Sequence, residues 1–362
     1  MTEKITIQFD AAQCLNPAGK HVRDGLSTGL RTGDNLWLSC DERTTIERLT
    51  FSDGSFGHHQ SFDLREYLEL PDGDNSEIDI EGMATTRHYI WIIGSHSLKR
   101  KKPRGRDSVK KQMKRLTKIQ NDPNRYLLAR IPFLLDGKTG QYELHKQCED
   151  PDKPGHMLRA AQLHGSKTSS LLTDVLQHDE HIAPFLTIPG KDNGFDVEGL
   201  TTSGERIFIG LRGPVLRGWA IVLEVETEED GKGQLRLKQL MEDRPYKKHF
   251  LHLRGKGIRE LRIFGEDMYI LAGPTMDQDG LIAIYRWPGA THRTEQECMV
   301  HAKELERLCE VPHGKDADSG KDKAEGLAIY DEQHALVVFD SPVDARKVGD
   351  DGVLGDIIRL VK

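Results

Sequence analysis

The sequence of 362 residues predicts an all-β protein folded as a single β-propeller. A short phrase recurs along the chain: an acidic residue, a glycine and a large apolar residue, followed by a polar turn and an apolar run. Short apolar runs and 35 glycines favour many small sheets over helical bundles. Radial repetition of such a unit is typical of a propeller. The phrase occurs in Asp79–Met83, Asp196–Leu200 and Ala324–Leu327, in altered form in Gly257–Leu261 and most weakly in Ser27–Leu30.

Each copy of the phrase predicts an inner hairpin, whose first strand it opens. In the altered copy Arg259 stands where the others have glutamate, and in the weakest copy Thr28 does. The spacing between copies is even except between Glu81 and Glu198, an interval that two insertions fill, so five blades are favoured over six. The predicted hairpins are Leu26–Leu30 with Leu36–Cys40, Ile80–Ala84 with Tyr89–Gly94, Val197–Thr202 with Ile207–Leu211, Ile258–Phe264 with Met268–Ala272, and Ala324–Tyr330 with Ala335–Phe339.

The segment 4–9 alternates apolar and polar residues but has no hairpin partner of its own. Propellers often close their ring by adding a terminal strand to the last blade. We therefore expect this strand to close the ring, and residues 1–362 to form one domain.

Two insertions interrupt the repeat, at about 97–125 and 151–190. The first is a basic loop followed by a helix: eleven Lys and Arg residues lie within 99–118 against one acid, Asp107. We expect its loop to form a mobile arm over one mouth of the central channel. Its helix should pack an apolar face on the propeller, namely Val109, Met113 and Leu116. The second insertion carries an apolar stripe at 171–176 and is predicted to contain a helix.

Composition excludes several classes of protein. A net charge of −7 argues against a protein that binds nucleic acid with its whole surface. The five cysteines form no CxxC pair, which argues against a disulfide framework and a zinc ribbon. No secretory signal and no apolar stretch of about 18 residues is visible. We therefore expect a cytoplasmic protein without a membrane partner, and its oligomeric state is left open.

One mouth of the channel is the predicted site. In an antiparallel hairpin the start of the first strand lies beside the end of the second. The three glutamates of the phrase should therefore meet the residues that end the second strands. Several convergent carboxylates either bind a hard cation, with calcium preferred, or pair with arginines. A third reading gives the glutamates only a structural role in a turn. The residues expected at this mouth are Glu81, Glu198, Glu325, Arg259, Arg212, His96, Asp41 and Asp340.

Roles at this mouth follow from residue chemistry. Glu81, Glu198 and Glu325 are the candidate metal ligands. His96 and Glu198 are the candidate catalytic residues, acting as general base, although a lone histidine in a loop is more often structural. The candidate ligand-binding residues, for a small anionic ligand, are Arg212, Arg259, Ser95, Lys99 and Arg100.

These motifs resemble a bacterial family, the domain of unknown function 3616 family. The likeness is carried by Asp79–Ala84, Trp91–Ser97, Phe195–Leu200, Gly257–Leu261 and Glu325–Ala328. The repeated Glu-Gly-Leu phrase is also similar to the propellers of esterase-like phytase domains and of the quorum-regulator-controlled family. Those resemblances imply calcium and a phosphoester or ester substrate.

Two classes of function remain open. In the first, the protein is a divalent-metal-dependent hydrolase of a small anionic phosphoester, ester or lactone. In the second, it is a propeller scaffold that binds a ligand or partner without chemistry. No P-loop, dinucleotide fingerprint, nucleophile elbow or HExxH motif is present. A small anionic ligand is expected in both, and nucleic acid is not favoured.

Overall fold

Antiparallel hairpins surround the centre of the computed structural model, which describes residues 3–16, 18–41, 43–73, 77–314 and 316–360. Within these residues there are five such hairpins, at the predicted places. They are hairpin 1 (Leu26–Thr32 and Asn35–Cys40), hairpin 2 (Ile80–Thr86 and Tyr89–Gly94), hairpin 3 (Asp196–Ser203 and Arg206–Gly213), hairpin 4 (Gly257–Phe264 and Asp267–Gly273) and hairpin 5 (Lys323–Ile329 and His334–Asp340).

The first strands of these hairpins form a ring. Each contacts the first strand of the next hairpin, and that of hairpin 5 contacts that of hairpin 1. The chain is therefore a β-propeller, as the sequence predicts. The count of five blades stays a prediction, which this ring of described strands supports.

Outer strands extend the hairpins into sheets, and hairpins 1 and 5 share one sheet that is joined through Glu3–Gln8. Some short strands from the connections join these sheets by pairing in parallel with one of their strands. Gln234–Leu237 and Cys298–Val300 are two of them. The outer strands are Thr45–Ser52 and Ser55–Asp63 beside hairpin 1; Leu128–Asp136, Gln141–Leu144, Ala161–Leu163, Gln234–Leu237 and Thr227–Glu229 beside hairpin 2; Trp219–Val225, Lys247–His252 and Cys298–Val300 beside hairpin 3; Ile282–Trp287 and Glu306–Val311 beside hairpin 4; and Gly352–Arg359, Lys347–Val348 and Glu3–Gln8 beside hairpin 5.

The N-terminal strand closes the ring. Glu3–Gln8 pairs antiparallel with Gly352–Arg359, from Glu3 opposite Ile357 to Gln8 opposite Gly352. The prediction of this closure is confirmed. The last outer strand begins at Gly352 and ends at Arg359.

Apolar side chains fill the spaces between neighbouring sheets. Phe208 and Val222 of one sheet pack with Ile258 and Ile270 of the next, all fully buried. Because an inner strand is covered on both faces, its residues form near-continuous apolar runs such as Tyr89–Gly94. These cores fix the inner strands, and with them the residues at the channel mouth.

The first insertion forms a structure that we call the basic hook, residues 99–120. Lys99–Arg100 pairs with Ile119–Gln120, and the helix Val109–Leu116 lies between them. The predicted packing of this helix is wrong, because none of its residues is buried. Helical spacing indicates an apolar face but not which surface covers it, and here no described residue does.

The second insertion differs in part from its prediction. Its helix, Leu171–Leu176, begins at a capping box of Ser170 and Thr173. However, the insertion also contains the strands Met157–Arg159 and Ala161–Leu163, the first paired with Gln147–Glu149. The remaining helical turns are Ala290–Arg293 and the 3-10 turns Val22–Asp24, Leu64–Glu66, Pro123–Tyr126, Ala183–Phe185, Gly190–Asp192, Ala302–Glu304, Asp316–Asp318 and Asp344–Arg346.

Among the described residues, no helix has the length and apolar character needed to cross a membrane. The cytoplasmic location stays a prediction.

Candidate functional site

A β-bulge sits at the start of the first strand of every hairpin. In hairpin 2, Ile80 pairs with Gly94 and Gly82 pairs with Ile93, so Glu81 faces no residue of the opposite strand. A bulge re-aims the side chain of its extra residue. The bulged residues are Ser27, Glu81, Glu198, Arg259 and Glu325.

This shared position confirms that Arg259 is the equivalent of the three glutamates. It corrects the first copy, where strand register makes Ser27 the equivalent, and not Thr28. The Ser27 hydroxyl donates to the carbonyl of Ile80 at 2.6 Å and so links hairpin 1 to hairpin 2.

The glycine after the bulge lets neighbouring first strands approach. A Cβ on Gly82 would lie 2.6 Å from Cβ of Leu200, and one on Gly326 would lie 2.9 Å from the carbonyl carbon of Thr28. In hairpin 4 the same register position holds Glu260. Packing between hairpins therefore requires glycine in hairpins 2 and 5, but not at this position in hairpin 4.

Glu260 and Arg262 cross the centre of the ring. Both are buried, and the Arg262 Nη2 atom donates to Glu260 Oε2 at 2.9 Å. Arg262 also donates to the carbonyls of Leu200 and Gly29, and Thr28 donates to Glu260. This network ties hairpins 1, 3 and 4 together beneath the mouth.

Two arginines neutralise two of the three bulged glutamates. The Arg259 Nε atom lies 3.0 Å from Glu198 Oε2, and its Nη2 atom contacts Glu325. Arg212 contacts both Glu198 and Asp196. Burial raises the pKa of Glu198 to about 7, while Arg212 and Arg259 lower it. The arginine-pairing alternative is thus the arrangement found at Glu198 and Glu325.

Glu81 has no such partner. Among the described residues, no hydrogen bond or ion pair reaches its carboxyl group. Burial, and then the charge of Asp79, raises its pKa well above the ordinary value. Burial likewise raises the pKa of Asp41 to about 8 and that of Asp340 to about 6. This side of the mouth therefore holds carboxyl groups whose pKa values are raised, and Asp41 retains its proton near neutral pH.

The three predicted metal ligands do not form a preorganised ion site. Their oxygen atoms are not among the described groups of three ligands that lie within 4.8 Å of one another. Calcium needs oxygen ligands at about 2.3–2.6 Å, and two of these carboxylates are already bound by arginines. Glu81, Glu198 and Glu325 as placed here do not fit a shared ion, and the calcium requirement stays a prediction.

His96 and Ser95 lie behind the mouth. His96 is 3% exposed, its Nδ1 atom is 2.9 Å from the carbonyl oxygen of Gly94, and its Nε2 atom has no described partner. Burial lowers its pKa to about 4, so the ring is neutral. The hydroxyl of Ser95 accepts from Ser97 at 3.1 Å and its carbonyl accepts from the amide of Val197. The structure does not bring His96 to the cavity wall, and its catalytic role stays a prediction.

Arg125 is a residue that sequence reasoning missed. It is buried at the mouth, 2.9 Å from Asp79, 3.0 Å from Glu77 and 3.3 Å from Asp122. Its Nη1 atom also donates to Ser97 at 3.2 Å. Its place within a basic insertion hid it, because nothing in the sequence separates it from the solvated cations nearby.

A cavity of about 720 Å³ opens above these groups. The basic hook forms its roof, which confirms the predicted position of the arm, while its mobility stays a prediction. Lys99 and Arg100, predicted ligand contacts, pair at the rim with Glu77 and Asp192. Roof cations without an ion pair among the described residues are Lys101, Arg104 and Arg115, and the floor carboxyl groups include Asp41, Glu81, Asp196, Glu198, Glu325 and Asp340.

Fold and site together define a β-propeller with a charged cavity at one mouth of its channel. The chain belongs to the family described as protein of unknown function (DUF3616), whose model matches residues 25–356. No curated protein matches the chain.

Several solved structures show a weak likeness. Glutaminyl cyclase of Myxococcus xanthus is 8% identical, with 99% of this chain and 96% of that chain covered and a TM-score of 0.41. The PQQ-bound aldose sugar dehydrogenase of Streptomyces coelicolor is 13% identical, with 98% and 99% covered and a TM-score of 0.37. The Cps50 (Swd1) β-propeller domain of Myceliophteria thermophila is 10% identical, with 100% of both chains covered and a TM-score of 0.36. Likenesses of this size say nothing about what this chain binds.

Proposed function

We propose that the channel mouth binds a small ligand that carries an anionic group at one end and a cationic group at the other. The observation that carries this proposal is the separation of charge in the cavity. Its roof holds cations without ion pairs among the described residues, and three of its floor carboxyl groups, Glu81, Asp41 and Asp340, have no ion pair among them either, although Lys20, Lys191 and Lys323 also line the cavity. Opposite charges on facing walls of a cavity orient a dipolar ligand.

The roof suits a phosphate or carboxylate group. Arg104 and Arg115 each offer a planar guanidinium that can bind two oxygens at once. Lys101 adds an ammonium group at the same wall. These cations belong to a hook that is fixed at its base by a strand pair, so they are held over the floor.

The floor suits an ammonium group. Glu81, Asp41 and Asp340 raise one another's pKa or share acidic neighbours, and no described cation forms an ion pair with them, although Lys20 lowers the pKa of Asp41 and Lys323 and Lys191 lower that of Asp340. A ligand cation relieves this repulsion and allows the carboxyl groups to ionise. A calcium ion would act on the same groups, so the predicted dependence on calcium is tested beside the ligand.

Two matched probes test the proposal: phosphoethanolamine and ethyl phosphate, which differ in the ammonium group alone. We expect calorimetry to show phosphoethanolamine binding about tenfold more tightly. Arg104→Gln should weaken both probes, whereas Glu81→Gln should remove only the advantage of phosphoethanolamine. Lys110→Gln and Glu228→Gln, on exposed residues outside the cavity, are the controls. Equal binding of both probes, or no effect of Arg104→Gln, would contradict the proposal.

Hydrolysis of a small anionic ester is the second candidate. One observation favours it: Glu81 lines the cavity, has no described partner and has a pKa that burial raises well above its ordinary value, which suits a general acid. Glu198 is held by two arginines and is less free to move a proton.

Phosphomonoester, phosphodiester, ester and lactone substrates, each with calcium, magnesium or EDTA, test this candidate. Turnover that Glu81→Gln abolishes and Glu228→Gln leaves unchanged supports hydrolysis. Turnover that survives Glu81→Gln points to another residue or to a contaminant. Probe binding without any turnover leaves the binding function alone.

A further inference from the structure

The helix of the basic hook exposes an apolar face that nothing in the described chain covers. Val109, Met113 and Leu116 follow one another at i, i+4 and i+7, so they share one side of the helix Val109–Leu116. Their exposed fractions are 72%, 65% and 46%. Ile119, just beyond the helix, is 46% exposed. Four large apolar residues thus lie exposed within eleven positions of one projecting element.

The same element carries a dense positive charge on its outer surface. Lys110 and Lys114 lie beside the apolar face, and Asp107 pairs only with Lys111 among the described residues. In a protein of net charge −7, such a concentration of positive charge directs the hook toward an anionic partner. The exposed cations that have no ion pair among the described residues are Arg104, Arg106, Lys110, Lys114 and Lys118.

We infer that the basic hook docks on an anionic lipid surface. A short amphipathic helix with aliphatic residues on one face and cations on the other lies in the interface of a bilayer, with its apolar face among the acyl chains. Each cation near an anionic leaflet adds to the attraction. The sequence prediction of no membrane partner rested on the lack of a spanning segment, which leaves contact with a surface open.

Lipid fits the hook better than nucleic acid does. Single-stranded nucleic acid binds where bases stack on aromatic side chains, and residues 99–120 contain no Phe, Tyr or Trp. A phosphate backbone would use the cations but leave Val109, Met113 and Leu116 in water. A lipid surface uses both faces of the helix.

Docking would also turn the cavity toward the membrane, because the hook forms the cavity roof. The inference does not rest on the proposed ligand, because Arg104 and Leu116 lie in the cavity roof but Val109, Met113 and the cations Arg106, Lys110 and Lys114 do not line the cavity. A failure of lipid binding would leave the test with phosphoethanolamine untouched.

Sedimentation of the full chain with vesicles tests the inference. The vesicles are phosphatidylcholine alone and phosphatidylcholine mixed with phosphatidylserine. We expect binding to the mixed vesicles at low salt, and a loss as the salt concentration rises. The charge variant, Arg106→Gln with Lys110→Gln and Lys114→Gln, should bind about a hundredfold more weakly. The apolar variant, Val109→Ser with Met113→Gln and Leu116→Gln, keeps every charge and should bind at least about tenfold more weakly.

Two control variants change exposed residues away from the hook: Leu135→Gln for the apolar set and Lys138→Gln for the charged set. Because all substituted residues are exposed, thermal unfolding should be unchanged. Binding that is equal with and without phosphatidylserine, or that survives both hook variants, overturns the inference. So does a short RNA that binds the wild type and the apolar variant equally. Self-association of the wild type that the apolar variant abolishes, without vesicle binding, would assign the face to a second copy of this chain.

Discussion

At the scale of single residues, the mouth balances charge by position. Arg259 occupies the bulge between those of Glu198 and Glu325 and contacts both, so one substitution in the repeat neutralises two neighbours. Glu81 lies on the other side of Glu198 and receives no such help from any described residue. The departure of one copy from the repeated phrase is therefore the feature that divides the mouth into a neutralised side and an acidic side.

Asp41→Asn tests this acidic side. Because burial raises the pKa of Asp41 to about 8, the folded state binds a proton that the unfolded state releases near pH 4. The free energy of unfolding should therefore fall as pH rises from about 4 to about 8, by on the order of a few kcal/mol after solvent screening. The variant should flatten this decline in urea unfolding measured across pH.

Asp53→Asn is the matched control for that substitution. Asp53 is exposed in a turn with a φ of 49°, which asparagine tolerates, and it should leave the pH profile unchanged. A profile of Asp41→Asn as steep as that of the wild type would show that Asp41 does not carry the proton.

At the scale of elements, the inner hairpin was predictable and its bulge was not. Short apolar runs after polar turns fixed all five hairpins, because strand periodicity and turn residues are local signals. The bulge depends on how Ile80 and Gly82 pair with the opposite strand, which no local signal reports. For the same reason the sequence aligns Thr28, and not Ser27, with Glu81. The apolar face of the helix Val109–Leu116 was predictable from the sequence. The exposure of that face was not, because it depends on the rest of the fold.

Gly82→Ala tests the close approach of neighbouring hairpins. The new Cβ would lie 2.6 Å from Cβ of Leu200 and 2.8 Å from its backbone nitrogen, so a strand must move. We expect a loss of about 1–3 kcal/mol in the free energy of unfolding, measured with urea. Gly137→Ala, where a Cβ meets nothing within 4 Å, should change it little. A Gly82→Ala protein as stable as the control would mean that the strands can separate without cost.

At the scale of the whole molecule, closure distinguishes this fold from an open array of repeats. In an open array each repeat contacts only its neighbours and local damage stays local. Here Glu3–Gln8 joins the two ends of the chain, and Ile7 is fully buried beside hairpins 1 and 5. The strand was predictable because the segment alternates and has no partner nearby. Its pairing with the last outer strand could be predicted only from the expectation that the blades form a closed ring.

Ile7→Ala tests whether the ring unfolds as one unit. The four tryptophans lie in four different sheets: Trp37, Trp91, Trp219 and Trp287. Four variants are needed, each of which keeps one tryptophan and carries phenylalanine at the other three positions. The fluorescence of each variant during urea unfolding then follows the sheet that contains its tryptophan. Removing the buried side chain should cost about 2–5 kcal/mol, and a closed cooperative ring should lower all four midpoints by the same amount. Lys4→Ala, on the exposed side of the same strand, should lower none. A shift confined to Trp37 would show that the sheets unfold separately and that the N-terminal strand stabilises only its own neighbours.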